Sequence, residues 1–229
     1  GGCRGLRGSG RGAAARRRGK VRASGSPAGR RDGSELYRRA PRSTAGRREA
    51  AVLAPVIARD GDAHLLFTER AAHLGEHPGQ MSFPGGGREP SDRTLTDTAL
   101  REANEEVGLR PSEVDIVGRI DDARTSSRYA VRPFVGVAPD REYAANSPEV
   151  AETVGRPVAA FTRPENYESE RRTGRSERGD RRVHYFHVDG YTVWGATGRM
   201  VVQLLEWTTD WRAPAEPDHV VGPDAELRT

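Results

Sequence analysis

Apolar and polar positions fall into blocks along this chain, and each block predicts an element. Residues 50–58 (AAVLAPVIA) and 64–68 (HLLFT) are short apolar runs separated by Arg59-Asp60-Gly61-Asp62. Two such runs flanking a turn signal predict a β-hairpin. Residues 69–82 read as a loop punctuated by His77-Pro78-Gly79, which leads through Phe83-Pro84 into Gly85-Gly86-Gly87. Between Asp92 and Val107 the period changes to 3.6: Leu95, Ala99, Ala103 and Val107 share one face, with Leu100 beside it. Ser91 and Asp92 offer N-cap oxygens, and Gly108 stands where a C-cap glycine belongs. Residues 114–120 and 130–137 predict strands on either side of a polar loop, 121–127, and 149–160 predicts another. Polar, charged residues 162–181 read as a long loop or mobile insert. Residues 182–188 and 191–194 predict a second hairpin across Asp189-Gly190. A C-terminal helix follows over 196–211, with Met200, Leu204 and Trp207 spaced for one buried face.

The pattern divides the chain into three. Residues 1–46 are mostly Gly, Arg, Ser and Ala, with Leu6, Val21, Leu36 and Tyr37 isolated among them. Such a composition cannot offset the entropy of ordering, so a disordered tail is expected, or residues translated upstream of the true start. Residues 47–212 form the expected domain, and 213–229, with three prolines and few apolar residues, a flexible C-terminal tail.

Charge follows the same division. The formal net charge of +4 conceals 14 Arg and Lys20 against three acids in residues 1–49, a net of +12. The remaining chain holds 22 basic and 30 acidic residues, a net of −8. A folded nucleic-acid reader would carry its basic patch on the domain, so this asymmetry argues against a nucleic-acid partner. No run approaches 18 consecutive apolar residues, so no membrane-spanning helix is expected. The single cysteine, Cys3, points to no disulfide framework, and a cytoplasmic location is expected. His73 and His77 are i, i+4 but lie in a Pro/Gly loop, which does not favour zinc. Lys20 is the chain's lysine, and no Gly-x-x-x-x-Gly-Lys-Ser/Thr surrounds it, which excludes a P-loop.

The chemistry concentrates in Arg101-Glu102-Ala103-Asn104-Glu105-Glu106. On a helix Glu102, Glu105 and Glu106 stand at i, i+3 and i+4 and share one face. Taken alone, such a cluster is ordinarily a solvated acidic face. In a pocket its repulsion becomes coordination once a hard divalent cation such as Mg²⁺ or Mn²⁺ is bound by carboxylate oxygens. Arg101 can reach Glu105 one turn on, and the Gly85-Gly86 turn can present a backbone carbonyl to the same cation.

Gly86-x5-Asp92-x8-Arg101-Glu102-Ala103-x-Glu105-Glu106-x-Gly108-Leu109 resembles the Nudix signature. Asp92 stands where Glu is usual, with one extra residue before Arg101, so the pattern assigns Asp92 little. Leu65-Leu66-x-Thr68-x-Arg70-Ala71, Gly79-x3-Phe83-Pro84-Gly85-Gly86 and the stretch 191–199 (YTVWGATGR) are similar to the coenzyme A pyrophosphatase branch of Nudix hydrolases. Gly75 stands where that branch has a second arginine. The resemblance implies an α+β fold: an α/β/α sandwich with a mixed central sheet, the catalytic loop-helix after the first hairpin, and a C-terminal helix. It implies Mg²⁺- or Mn²⁺-dependent hydrolysis of a nucleoside diphosphate linked to X. Coenzyme A would be cleaved to adenosine 3′,5′-bisphosphate and 4′-phosphopantetheine. A broader hydrolase of ADP-ribose, dinucleotides or nucleoside triphosphates is the alternative, and a nucleotide- or RNA-binding regulator the alternative of another class. Glu102, Glu105, Glu106 and the Gly86 carbonyl would hold the metal, and Arg101 would orient Glu105 or its neighbour. Glu105 or Glu106 would take the water's proton, or else a distant carboxylate, Glu149 or Glu152. Arg70, Arg128 and Arg132 would meet phosphates. The partner would be a small nucleotide, and a homodimer is compatible with the sequence.

Overall fold

The first apolar runs become β1 (Arg48–Arg59) and β2 (Asp62–Arg70), paired antiparallel. Asp60 and Gly61 both have left-handed φ, 52° and 88°, as a two-residue hairpin turn requires. This computed structural model describes residues 46–74, 79–125, 129–174, 180–222 and 224–226. The expected tail over 1–46, Gly75 and Arg128 thus fall outside the described residues, apart from Gly46.

β1 carries apolar side chains on both faces, so it belongs in the middle of a sheet covered on both sides. The order is β3 (Met81–Ser82), β2, β1, β7 (Tyr129–Ala138), β5 (Asp115–Arg119). β4 (Gly85–Gly87) pairs with the start of β1, β6 (Ala123–Arg124) with β7, and β8 (Val150–Pro157) with β2. β1 and β7 run parallel while β1 and β2 run antiparallel, which makes the sheet mixed. On one face α1 (Leu95–Val107) packs Leu95, Ala99, Ala103 and Val107 against Ala51, Leu53, Ile57 and Phe134. The alanines are fully buried and let the helix lie close to the sheet. Its C-cap is Gly108 at φ 65°, as expected. The N-cap is Thr94 rather than Ser91 or Asp92. Thr94 and Asp97 form a reciprocal capping box, which leaves the Asp92 carboxylate available for other work.

The other face is covered by α3 (Gly195–Thr208), by the single-turn α2 (Val158–Phe161), and by a second sheet. That sheet runs β11 (Tyr191–Trp194), β10 (Arg181–Val188), β9 (Tyr167–Arg172), β12 (His219–Val221). Met200, Val201, Leu204 and Leu205 of α3 join Phe67, Phe83, Phe161 and Phe186 in one core. The result is the α+β sandwich expected. Among the described residues no helix is long and apolar enough to cross a membrane.

Two expectations are corrected. The stretch read as a long loop, 162–181, contains β9. Its sequence, YESERR, lacks an apolar alternation because it buries polar groups: Arg172 Nη1 donates to Glu170 Oε1 at 2.7 Å, and so does the Tyr185 hydroxyl at 2.7 Å. A buried ion pair of this kind is invisible to hydropathy. The C-terminal stretch read as flexible carries β12, parallel to β9. Arg182 donates to the carbonyls of Pro214 and Glu216, and Asp218 accepts from the Ser169 N–H at 2.7 Å. These anchors come from distant strands, so local composition cannot announce them.

Candidate active site

α1 carries its three acids away from the sheet that its alanines face, Glu105 exposed and Glu102 and Glu106 half-buried, and β4 passes beside them. The Gly85 N–H donates to Glu106 Oε2 at 3.1 Å. Burial pushes the Glu106 carboxyl up to about 8; Gly85 and Arg70 oppose the rise, while the charges of Glu102 and Glu149 add to it. Burial also raises Glu102, against the pull of Arg101. A Cβ on Gly86 would lie 2.4 Å from Glu102 Oε1, so only glycine lets the backbone close on that carboxylate. Glu105 is exposed and held by Arg101 Nη1 at 3.0 Å, as the helical spacing predicts.

Arg101 is the hub. Its Nε and Nη2 bind Asp92 Oδ1 and Oδ2 at 3.1 and 3.2 Å, Nη2 reaches the Gly87 carbonyl at 3.0 Å, and Nη2 also meets Glu102 at 3.1 Å. Asp92 is buried and further accepts from the Thr98 hydroxyl and the Glu89 N–H, both at 2.9 Å. The Arg101 guanidinium in particular pulls its carboxyl down to about 2. The sequence pattern gave Asp92 little role, yet it ties the glycine strand, the turn before α1 and Arg101 together. Replacing Asp92 by alanine takes the carboxylate from two donors, the Glu89 N–H and the Thr98 hydroxyl, and from the half-buried Arg101 cation. A loss of about 2–4 kcal/mol in urea unfolding is expected. An unchanged urea midpoint would show that the bidentate pair holds nothing.

The NUDIX domain pattern matches residues 47–173, more than half of the chain. The chain belongs to the Nudix family. Among curated proteins it is 38% identical over 165 residues to "Uncharacterized Nudix hydrolase NudL" of Enterobacter sp. (strain 638), covering 71% of this chain and 84% of that protein. The protein of the same name from Escherichia coli O7:K1 is 36% identical over the same shares. Among solved structures, the NUDIX domain of Shewanella oneidensis NrtR complexed with ADP ribose matches at 16% identity and TM-score 0.42, over 50% of this chain and 75% of that one. A MutT/nudix family protein from Enterococcus faecalis matches at 11% identity and TM-score 0.46, over 73% and 65%. As a Nudix hydrolase the chain is an enzyme of pyrophosphate hydrolysis, as the signature implied.

Within the Nudix domain the remaining sequence candidates separate. A bulge between Glu69 and Arg70 breaks the β2–β8 register and brings Arg70 Nη1 to 3.9 Å from Glu149 Oε2. Glu149 stands near enough to Glu106 for its charge to act there. Glu152, three residues on, is directed elsewhere: it faces Glu69 across β2 and β8 and accepts from the Tyr191 hydroxyl at 2.6 Å. Arg132 is engaged by Asp122 through two 3.0 Å bonds, so its fork is already committed. Arg128 lies outside the described residues. Gly85 was missed as an individual position; its signal was the Phe83-Pro84-Gly85-Gly86 run.

The donor set suits a hard divalent cation: three carboxylates, and a backbone pressed against one of them at Gly86. Among the described residues no three acids already converge to a coordination shell. Arg101 holds Glu102 and Glu105 on separate nitrogens, so gathering them requires side-chain rotation.

Proposed function

We propose that this Nudix hydrolase cleaves the pyrophosphate of coenzyme A, giving adenosine 3′,5′-bisphosphate and 4′-phosphopantetheine with Mg²⁺ or Mn²⁺. The observation that carries the chemistry is the Glu102, Glu105, Glu106 face of α1 closed over by the glycine strand. Coenzyme A is favoured by the Leu65-to-Gly86 lead-in and the 191–199 stretch. The catalytic domain of this reading is 47–212; the pairing of β12 with β9 and the bond from Arg182 to the Pro214 carbonyl support adding the segment that follows. A cytoplasmic location accords with the lone Cys3.

In this reading Glu102, Glu105, Glu106 and the Gly86 carbonyl hold the metal. When bound, the metal neutralises pyrophosphate oxygens and makes a coordinated water acidic. Arg101, fixed by Asp92, holds Glu105 and Glu102 beside the site, where they would serve as ligands. Glu149 takes the proton of the attacking water as its oxygen bonds to one phosphorus, and the bond from that phosphorus to the bridging oxygen breaks. Arg70, beside Glu149, is placed to meet a phosphate oxygen. Glu152 and Arg132 are not needed for these steps.

The test is a hydrolysis screen with Mg²⁺ and with Mn²⁺ of coenzyme A against ADP-ribose, NADH and nucleoside triphosphates, with products identified. Coenzyme A is expected to turn over fastest, releasing adenosine 3′,5′-bisphosphate. Turnover of another substrate with coenzyme A untouched would overturn the substrate and keep the enzyme class.

A further inference from the structure

We infer that Asn146 is a positioning residue that ties the Glu149 carboxylate to the end of the carboxylate helix. The inference rests on the proposed role of Glu149 as the base.

The last turn of any helix leaves carbonyls without intrahelical donors. At the end of α1 the Gly108 N–H donates to the Asn104 carbonyl at 3.0 Å and the Leu109 N–H to that of Ala103 at 3.2 Å. The next two carbonyls, of Glu105 and Glu106, are both taken by one residue from a distant loop. The Asn146 N–H donates to the Glu106 carbonyl at 2.8 Å, and Asn146 Nδ2 to the Glu105 carbonyl at 3.2 Å. These carbonyls belong to two of the three residues whose side chains are proposed to bind metal.

The loop that delivers Asn146 is anchored before and after it. Arg141 Nη2 donates to the Gly108 carbonyl at 2.8 Å, and Tyr143 is buried in the apolar cluster beneath α1. Three residues beyond Asn146 the Glu149 carbonyl accepts from the Ala71 N–H at 2.8 Å, at the end of β2 beside Arg70. Glu149 is therefore attached on one side to β2 and on the other, through Asn146, to the backbone of the helix. Its own side chain is exposed and lies 3.9 Å from Arg70 Nη1, beyond hydrogen-bond reach, so its position depends on the main chain that carries it. A general base must stand within hydrogen-bond reach of its water, and an error of about 1 Å costs as much as 10²-fold.

Asn146 is exposed, so N146A removes the side-chain bonds at little cost to the fold. The experiment compares wild type, N146A, E149Q and the double variant, with coenzyme A as substrate and Mn²⁺ affinity read separately by electron paramagnetic resonance. N146A is expected to lower kcat about tenfold with KM unmoved. Mn²⁺ affinity is expected to be kept, and the double variant to be no slower than E149Q alone, because two residues acting through one carboxylate do not add. N146S, which keeps a short donor, substitutes if N146A fails to fold. Wild-type kcat in N146A beside an impaired E149Q overturns the inference and leaves the base assignment standing. Multiplying effects in the double variant, or lost Mn²⁺ affinity in N146A, also overturn it. Wild-type kcat in E149Q overturns the base assignment, and the inference with it.

Discussion

Exchange of Glu106 for glutamine is expected to lower turnover by roughly three orders of magnitude while the fold persists. Glutamine has the shape of the carboxyl it replaces, and its carbonyl oxygen can still accept from the Gly85 N–H. The buried position therefore keeps its one backbone bond and its packing, and the urea midpoint is expected to stay close to that of wild type. A neutral amide oxygen is a weaker ligand for a hard cation than a carboxylate, so Mn²⁺ affinity should fall together with kcat. Glu105→Gln should act in the same direction with less consequence for folding, since Glu105 is exposed and bonded only at the rim by Arg101. Near wild-type turnover in both variants would sink the metal assignment.

The two neighbouring glycines are expected to fail in opposite ways. A Cβ on Gly86 meets carboxylate atoms of Glu102 at 2.4 and 2.6 Å, and a carboxylate can rotate away. Gly86→Ala should therefore fold, at a cost of about 1 kcal/mol, and lose activity by about 10²-fold because Glu102 is displaced. A Cβ on Gly85 meets the Ala51 carbonyl at 2.4 Å and Val52 Cα at 2.5 Å, and neither can yield without breaking the pairing of β4 with β1. Gly85→Ala should cost about 3 kcal/mol or more, seen as a lower urea midpoint before any kinetics are measured. Wild-type kcat in Gly86→Ala would show that the backbone does not crowd Glu102 in the working enzyme.

Much of this was legible in the residues. The first hairpin, α1 with its buried Leu95, Ala99, Ala103 and Val107, and the Gly108 cap are local features, written in spacing and turn chemistry. The Asp189-Gly190 turn, with φ of 49° and 85°, belongs with them. What escaped was non-local. β9 reads as loop because Ser169, Glu170 and Arg172 are polar yet buried, with partners such as Tyr185 and Asp218 brought in from other segments. β12 and the segment before it read as tail because their anchors lie some fifty residues upstream on β9 and some thirty upstream at Arg182.

The site shows the same division. By itself the sequence determined the acids of α1, their common face, the glycine turn before them and the hydrolase family, because a 3.6-residue period and a fixed signature need no tertiary knowledge. Only the tertiary structure decided what each group does beyond that. It gave the displaced Asp92 to Arg101, withdrew Arg132 into Asp122, and separated Glu149 from Glu152 though only two residues lie between them. A carboxylate's partner is set by the strand register, bulge and loop that bring two distant segments within a few ångströms, and no spacing along the chain contains that distance.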